Sequence, residues 1–202
     1  MTICIYGGTF DPPHIGHMHA CESFLNNFEV DKLYIIPTYM PPHKIRSSKV
    51  SAEARFDMSR IAFSSISDKI EISDVELKRE GKSYTSDTIA YFKMLGNNDI
   101  YFLCGTDMFL TLDTWHEFKY IFTNAKIVCI RRESDAETEA ALLKKKKEYE
   151  TLYNGKIFFI TDDAIELSSS EIRERIQGSS VDNLLHSGVI EYIRKNNLYG
   201  KE

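Results

Sequence analysis

Short, continuously apolar segments alternate along this chain with longer segments whose apolar residues recur every three or four positions. Most of the short runs lack a polar residue at every second place, which is typical of strands buried on both faces of a sheet. The predicted strands are Ile3–Tyr6, Lys32–Ile36, Ile70–Ser73, Ile100–Cys104, Lys126–Ile130 and Ile157–Ile160. The predicted helices are Gly16–Phe28, Ala52–Ser65, Ser86–Leu95, Thr114–Phe122 and Ala136–Tyr149.

This alternation predicts an α/β fold with a Rossmann-like, doubly wound parallel sheet and right-handed crossovers. After Ile160 the alternation gives way to shorter helical segments. These run through Ile176, Leu184–Leu185 and Val189–Asn196. We therefore expect a single domain over residues 1–202, with a Rossmann-like core over 1–166 and a helical C-terminal segment over 167–202.

The charge balance disfavours a nucleic-acid partner. The chain has 202 residues, of which 30 are acidic and 25 basic, and its formal net charge is −5. A general nucleic-acid binder is usually basic. The basic residues nevertheless cluster locally, as a small anionic ligand would require. The clusters are Lys44, Arg46 and Lys49, then Arg131 and Arg132, then Arg173 and Arg175.

Cysteine usage predicts a cytoplasmic protein. Cys4, Cys21, Cys104 and Cys129 form no C-x-x-C pair, and three of them fall in predicted strands, where a free thiol packs as a small apolar group. Reduced thiols of this kind are typical of the cytosol. No apolar run has the length of a membrane span, so we expect no membrane partner. The oligomeric state stays open, a homo-oligomer included.

The densest chemistry follows the first strand, in a segment that reads Gly7-Gly8-Thr9-Phe10-Asp11-Pro12-Pro13-His14-Ile15-Gly16-His17. A glycine turn lets backbone N–H groups approach a phosphate, and a helix N-terminus adds about half a positive charge. His14 and His17 share one face of that helix. The segment therefore predicts a polyphosphate site.

Two other interpretations of these histidines stay open. Either could be a structural histidine near a turn. A metal site that includes His19 is also conceivable, but His19 lies on another helix face and His14-x-x-His17 is not a zincin spacing.

Ligands of doubly wound sheets bind at the carboxyl ends of the strands, where the strand order reverses. Four segments leave predicted strands at that edge and are expected to converge there. They are Gly7–His17, Pro37–Lys49, Gly105–Asp107 and Arg131–Arg132.

Several residues outside the first segment have both a structural and a functional interpretation. Asp107 could cap a helix or bind ribose hydroxyls. Trp115 could pack in the core or stack on a heteroaromatic ring, which contributes about 1–3 kcal/mol for a base. Ser168–Ser170 with Arg173 could be a capped surface helix or a second phosphate clamp.

Two segments carry a family resemblance. The first is the Gly7–His17 segment, which resembles the signature of the nucleotidyltransferase superfamily. The second, Ser168-Ser169-Ser170-Glu171-Ile172-Arg173, resembles its second motif, with Ser170 where Thr is usual. Over essentially its whole length the chain is similar to bacterial nicotinate-nucleotide adenylyltransferases. The segments and residues on which this more specific resemblance rests are Pro41-Pro42-His43-Lys44, Ser83–Thr88, Gly105–Met108, Trp115 and Arg132.

The resemblance implies transfer of the adenylyl group of ATP to nicotinate mononucleotide, giving deamido-NAD and pyrophosphate, with Mg²⁺ accompanying ATP. It implies His14, His17 and Arg173 as catalytic residues. It implies these ATP-binding residues: Gly8, Thr9, Phe10, His14, His17, Gly105, Asp107, Ser168, Ser169, Ser170 and Arg173. It implies these residues for the nicotinate nucleotide: Lys44, Thr85, Trp115, His116 and Arg132.

The chemistry of the motifs agrees with this reaction. A phosphate monoester has a second pKa of about 6 and is a ready nucleophile at pH 7, so the site needs donors and cations rather than a general base. Other acceptors, such as nicotinamide mononucleotide or pantetheine phosphate, remain alternatives, as does a nucleotide sensor without turnover. His14-Ile15-Gly16-His17 also matches the first signature of class I aminoacyl-tRNA synthetases, but no Lys-Met-Ser-Lys-Ser follows.

Overall fold

The structure is a computed structural model, and it describes residues 1–42, 50–131, 136–161, 165, 167–176, 178 and 180–200. Strands and helices alternate along these residues. The strands are β1 (Thr2–Gly8), β2 (Lys32–Pro37), β3 (Ile70–Ile72), β4 (Asp99–Gly105), β5 (Lys126–Ile130) and β6 (Lys156–Ile160). The helices are α1 (Ile15–Asn27), α2 (Ala52–Phe63), α3 (Val75–Arg79), α4 (Thr85–Met94), α5 (Thr106–Leu110), α6 (Phe118–Asn124), α7 (Ala136–Tyr153), α8 (Ser169–Ile176) and α9 (Ser187–Lys195).

The six strands form one parallel sheet in the order β3-β2-β1-β4-β5-β6, which confirms the predicted doubly wound fold. The order reverses between β1 and β4. Pairing of these two strands runs from Thr2 with Asp99 to Ile5 with Phe102, so each strand continues three residues past the last pair. A crevice between β1 and β4 therefore opens at the carboxyl edge, where ligands of such sheets bind.

Two apolar cores cover the two faces of the sheet because side chains alternate along each strand. In β1, Cys4 and Tyr6 face one core, while Ile3 and Ile5 face the other. Helices α1, α2, α8 and α9 bury their apolar residues in the first core, and α3 to α7 bury theirs in the second. Both faces of the strands are covered, which explains their continuous apolar sequence.

The C-terminal helices belong to the same core as α1 and α2. Ile172 of α8 and Val189 of α9 are fully buried in it. The hydroxyl of Tyr192 donates to Asp57 of α2 at 3.1 Å, and the N–H of Ile15 donates to the carbonyl of Leu184 at 3.1 Å. The segment after β6 is thereby attached to the beginning of α1.

Two predicted helices need correction, and two short helices were not predicted. The helix predicted over Thr114–Phe122 is wrong at its start, because a 3-10 turn over Leu112–Thr114 is followed by extended Trp115 and left-handed Glu117 at φ 49°. The helix α6 begins only at Phe118, so its residues 118–122 confirm the rest of that prediction. Helices α3 and α5 were not predicted, since five residues are too few to show helical periodicity. Leu184–Leu185 lies in a turn, not in a helix.

Two smaller expectations, for the cysteines and for the cap of α2, are confirmed. All four cysteines are free and buried. Ser51 caps α2, its hydroxyl accepting from the N–H of Ala54 at 3.2 Å. Among the described residues, no helix is both long and apolar enough to cross a membrane.

If α8 packs in the first core as described, Ile172→Ala should lower the free energy of unfolding by about 2–5 kcal/mol, because it leaves a cavity beside α1 and α2. Urea denaturation measures this change. Leu152→Ala is the control, since that side chain is 63% exposed and its loss should cost less than about 0.5 kcal/mol. Equal, small changes in both variants would contradict this packing.

Candidate active site

The loop that follows β1 is built on a buried phenylalanine. Phe10 has a left-handed backbone with φ 47°, and its ring is 1% exposed. The ring lies edge-on to His17, with centroids 5.1 Å apart. A Cβ at Gly8 would lie 2.7 Å from the ring of Phe10, so only glycine leaves room for it. Gly8 and Phe10 therefore shape the support on which His17 rests.

The two histidines of the loop are stacked. The rings of His14 and His17 have centroids 3.6 Å apart and an interplanar angle of 28°. The backbone N–H of His14 donates to Nδ1 of His17 at 3.2 Å. Because Nδ1 accepts, the neutral ring of His17 carries its proton on Nε2 and can donate there. His14 is 4% exposed, so His17 is the more accessible of the two.

Gly16 allows other parts of the protein, rather than a ligand, to approach its backbone closely. A Cβ at Gly16 would lie 3.1 Å from Nδ1 of His14 and 3.1 Å from the carbonyl oxygen of Ile165. The glycine between the histidines thus admits the His14 ring and the chain that follows β6, at the point where α1 begins.

The metal-site interpretation of these histidines has no support in the geometry. His19 lies beside Ser23, with Nε2 and Oγ 3.3 Å apart. Across the part of the chain that the structure describes, no three His, Cys, Asp or Glu side chains cluster in a way that could hold a metal ion.

The second motif contacts the first directly. One arm of Arg173 donates to the carbonyl oxygen of Asp11 at 2.7 Å, and the other donates to Oγ of Ser170 at 3.0 Å. The hydroxyl of Ser169 donates to the carbonyl oxygen of Pro12 at 3.0 Å. Segments separated by about 160 positions thus form one surface of imidazole, hydroxyl and guanidinium groups.

Ser168 has a capping role. Its hydroxyl accepts from the N–H of Glu171 at 3.2 Å, and the carboxylate of Glu171 accepts from the N–H of Ser168 at 2.8 Å. This reciprocal pair is a capping box. The capped-helix interpretation of Ser168 therefore holds, and it also orients the first turn of α8, whose N–H groups have no acceptor within the helix.

Gly105 and Asp107 lie at the end of β4, beside the crevice. Gly105 occupies the N-cap position of α5, so the interpretation of Asp107 as the cap is wrong. Asp107 falls within the first turn of α5, and its side chain is exposed at the carboxyl edge of the sheet. A carboxylate in that position is open to ribose hydroxyls.

The acceptor-binding candidates come together around the start of α4. Thr85 is its first residue, and the ring of the preceding Tyr84 packs on His116 with centroids 4.2 Å apart. Trp115 is half-buried and contacts Phe102 edge-on at 6.1 Å, so it both packs on the core and exposes part of its ring. Core packing and ligand contact are therefore compatible for Trp115.

A buried polar cluster fixes the beginning of α4. Thr88 donates to Oε1 of Glu76 at 2.7 Å, and Ser83 accepts at its hydroxyl from the N–H of Tyr39 at 3.0 Å. Burial raises the pKa of the Glu76 carboxyl. These bonds attach the segment before Thr85 to the chain that leaves β2.

Arg55 is a site residue that the sequence analysis missed. It is 1% exposed, and its guanidinium donates to the carbonyl oxygens of Thr9 at 2.7 Å and Tyr39 at 3.2 Å. It thus joins the loop after β1 to the chain after β2, and through Ser83 to the start of α4. A signal was present, because Arg55 shares the buried face of α2 with Ala52, Met58 and Ala62.

Two predicted acceptor residues, Lys44 and Arg132, lie outside the described residues, as do Arg46 and Lys49. Arg131 is described, and it pairs with Glu139 of α7 and lies over the ring of Phe159 at 5.3 Å. The Arg131 side chain is thus held against α7 and β6.

The chain is similar to known proteins over nearly its whole length. The model of the cytidylyltransferase-like family matches residues 5–175. The probable nicotinate-nucleotide adenylyltransferase of Clostridium tetani is 36% identical over 197 residues, covering 96% of this chain and 97% of the relative. That of Pseudothermotoga lettingae is 36% identical over 195 residues, covering 94% and 95%. Plasmodium falciparum nicotinic acid mononucleotide adenylyltransferase, solved in complex with APC, superposes with a TM-score of 0.75 at 25% identity, covering 98% of this chain and 96% of the other.

Gly8→Ala should lower the free energy of unfolding by about 1–3 kcal/mol, because the new methyl group forces the buried Phe10 ring to move. Gly7→Ala is the matched control, since nothing lies within 4 Å of its Cβ position. Urea denaturation of both variants measures the difference. A Gly8→Ala protein as stable as Gly7→Ala would show that Phe10 does not fill this space.

Proposed function

This chain belongs to the cytidylyltransferase-like family and, within it, to the nicotinate-nucleotide adenylyltransferases, and we propose that its β1–β4 crevice is the site where ATP donates its adenylyl group to nicotinate mononucleotide. The products are deamido-NAD and pyrophosphate. The reaction is an in-line displacement at the α-phosphate without a covalent intermediate.

The observation that carries this proposal is the contact between the two phosphate-binding segments. Arg173 holds the carbonyl of Asp11 at 2.7 Å, and Ser169 holds that of Pro12 at 3.0 Å. We infer that imidazole, guanidinium and helix N–H donors share the same crevice. Such a set suits a triphosphate, because each group donates hydrogen bonds to phosphate oxygens or attracts their negative charge.

Catalysis rests on positioning and charge stabilisation. We assign Nε2 of His17 as a donor to the α-phosphate oxygens, since its Nδ1 is occupied by the N–H of His14. The stacked ring of His14 holds His17 in place, and Arg173 with Ser170 binds the leaving pyrophosphate. The acceptor phosphate attacks as a dianion and needs no base.

We further propose that Mg²⁺ enters with ATP. The donors around the crevice are imidazole, hydroxyl and guanidinium groups, which bind phosphate oxygens, while Mg²⁺ prefers oxygen ligands and keeps several waters. The side chains therefore fit a cation held through the phosphates. When bound there, the ion neutralises charge that develops on the leaving pyrophosphate.

The nicotinate nucleotide is assigned to the region around α4. The first turn of α4 presents N–H groups that suit a carboxylate, and the Trp115 ring suits a pyridine face. Thr85 and His116 complete this subsite, and Lys44 and Arg132 are proposed as its cations. Four free, buried thiols agree with a cytoplasmic location, which we also propose.

The wild-type chain should release pyrophosphate from ATP and Mg²⁺ with a kcat/KM that is highest for nicotinate mononucleotide. The reason is the α4 N-terminus beside Thr85, which favours a carboxylate over an amide. Parallel assays use nicotinamide mononucleotide and pantetheine phosphate. Equal or reversed preference would disprove the assigned acceptor, and binding of ATP without pyrophosphate from any acceptor would indicate a sensor.

His17→Ala should lower kcat by roughly 10²–10³, by analogy with the loss of one oxyanion-hole donor, and should change KM for ATP far less. His19→Ala is the control on the same helix, because its ring lies beside Ser23. Steady-state pyrophosphate release measures both variants. An effect on KM alone would mean that His17 binds only the ground state.

A further inference from the structure

The end of the chain reaches the first phosphate-binding loop. The hydroxyl of Tyr199 donates to Oδ1 of Asp11 at 2.7 Å, across 188 positions of sequence. Asp11 is 6% exposed, so its carboxylate is taken out of water and depends on protein donors. Neither residue belongs to the binding set that the motifs predict.

Asp11 is also the residue that Arg173 contacts. Nη1 of Arg173 lies 2.7 Å from the carbonyl oxygen of Asp11 but 3.9 Å from its Oδ2. The guanidinium thus holds the backbone of Asp11, while the Tyr199 hydroxyl contacts its Oδ1. If the tyrosine hydroxyl were absent, the buried carboxylate would attract the guanidinium away from Ser170 and the phosphate surface.

The tail that supplies this hydroxyl is itself held in place. The N–H of Leu198 donates to the carbonyl of Ile193 at 3.0 Å, and both Leu198 and Tyr199 pack on the first core. Tyr199 itself has a left-handed backbone with φ 61°. The hydroxyl therefore has a defined position rather than that of a loose terminus.

We propose that Tyr199 is a positioning residue for adenylyl transfer, which acts through Asp11 to keep Arg173 directed at the triphosphate. The inference rests on the proposed function for its substrate. Burial, together with the neighbouring Asp11, raises the pKa of the Tyr199 hydroxyl, so the group stays a hydrogen-bond donor at neutral pH. The tail thereby becomes part of the structure that holds the reacting phosphates.

The chain offers a matched control for this proposal. Tyr192 makes the same kind of bond, its hydroxyl donating to Oδ2 of Asp57 at 3.1 Å, and it also joins the C-terminal segment to the rest of the fold. Asp57 lies on α2 and contacts neither phosphate-binding segment in the bonds described. Tyr192→Phe therefore removes a comparable hydrogen bond without touching Asp11.

The experiment compares Tyr199→Phe with Tyr192→Phe. Both should lower Tm, and Tyr199→Phe should lower it more, because Asp11 is buried whereas Asp57 is partly exposed. Only Tyr199→Phe should lower kcat and raise the Kd for MgATP, each by about tenfold, as expected for loss of a hydrogen bond to a charged group. KM for nicotinate mononucleotide should change less than about twofold in both variants. Wild-type kcat and MgATP affinity in Tyr199→Phe, or equal losses in both variants, would overturn the proposal.

A double-mutant cycle tests whether Asp11 is the intermediary. In an Asp11→Asn background, adding Tyr199→Phe should change the Kd for MgATP less than twofold, because the amide that replaces the carboxylate carries no negative charge that could attract Arg173. Independent, multiplicative effects would overturn the route through Asp11. If the wild-type chain released no pyrophosphate with nicotinate mononucleotide, the proposed function would fail. The MgATP affinities of the two tyrosine variants would still decide the role of Tyr199.

Discussion

The hydrogen bond from Arg173 to the carbonyl oxygen of Asp11, at 2.7 Å, joins the two segments that together form the proposed triphosphate site. The loop after β1 offers two stacked imidazoles, and the start of α8 offers hydroxyls and helix N–H groups. Their contact brings these groups onto one surface, which is the proposed site of the triphosphate. The placement of α8 in the core through Ile172 serves this contact, since a guanidinium acts on phosphate only from a defined position.

Arg55 links the loop after β1 to the chain after β2, on the side of the proposed nicotinate subsite. A fully buried guanidinium is costly unless hydrogen-bonded, and here it holds the carbonyls of Thr9 and Tyr39. Tyr39 in turn donates to Ser83, one residue before the N-cap of α4. A continuous series of bonds thus runs from the loop after β1 to the proposed nicotinate subsite, and in the proposed reaction these bonds would keep donor and acceptor in register for in-line attack.

Features that depend on residues close together in sequence were predicted well, and contacts between distant residues were not. All six strands were predicted within about two residues at either end, because burial on both faces leaves a local apolar signature. The helix predicted to begin at Thr114 was wrong at its start because Glu117 has a left-handed backbone, which no local sequence pattern indicated. Asp11 and Tyr199 were missed as partners, since 188 positions separate them and neither residue type is unusual where it stands.

The sequence by itself determined the α/β class, the six strands with the longer helices between them, and the residue types of the two motif segments. These depend on periodicity and short-range geometry, which neighbouring residues encode. Only the tertiary structure decided which groups meet: Arg173 with Asp11, Tyr84 with His116, and Arg55 with Thr9. It also showed that Gly16 admits the chain after β6. Such pairings depend on how the sheet and its two layers of helices bring distant segments together, and no local pattern carries that information.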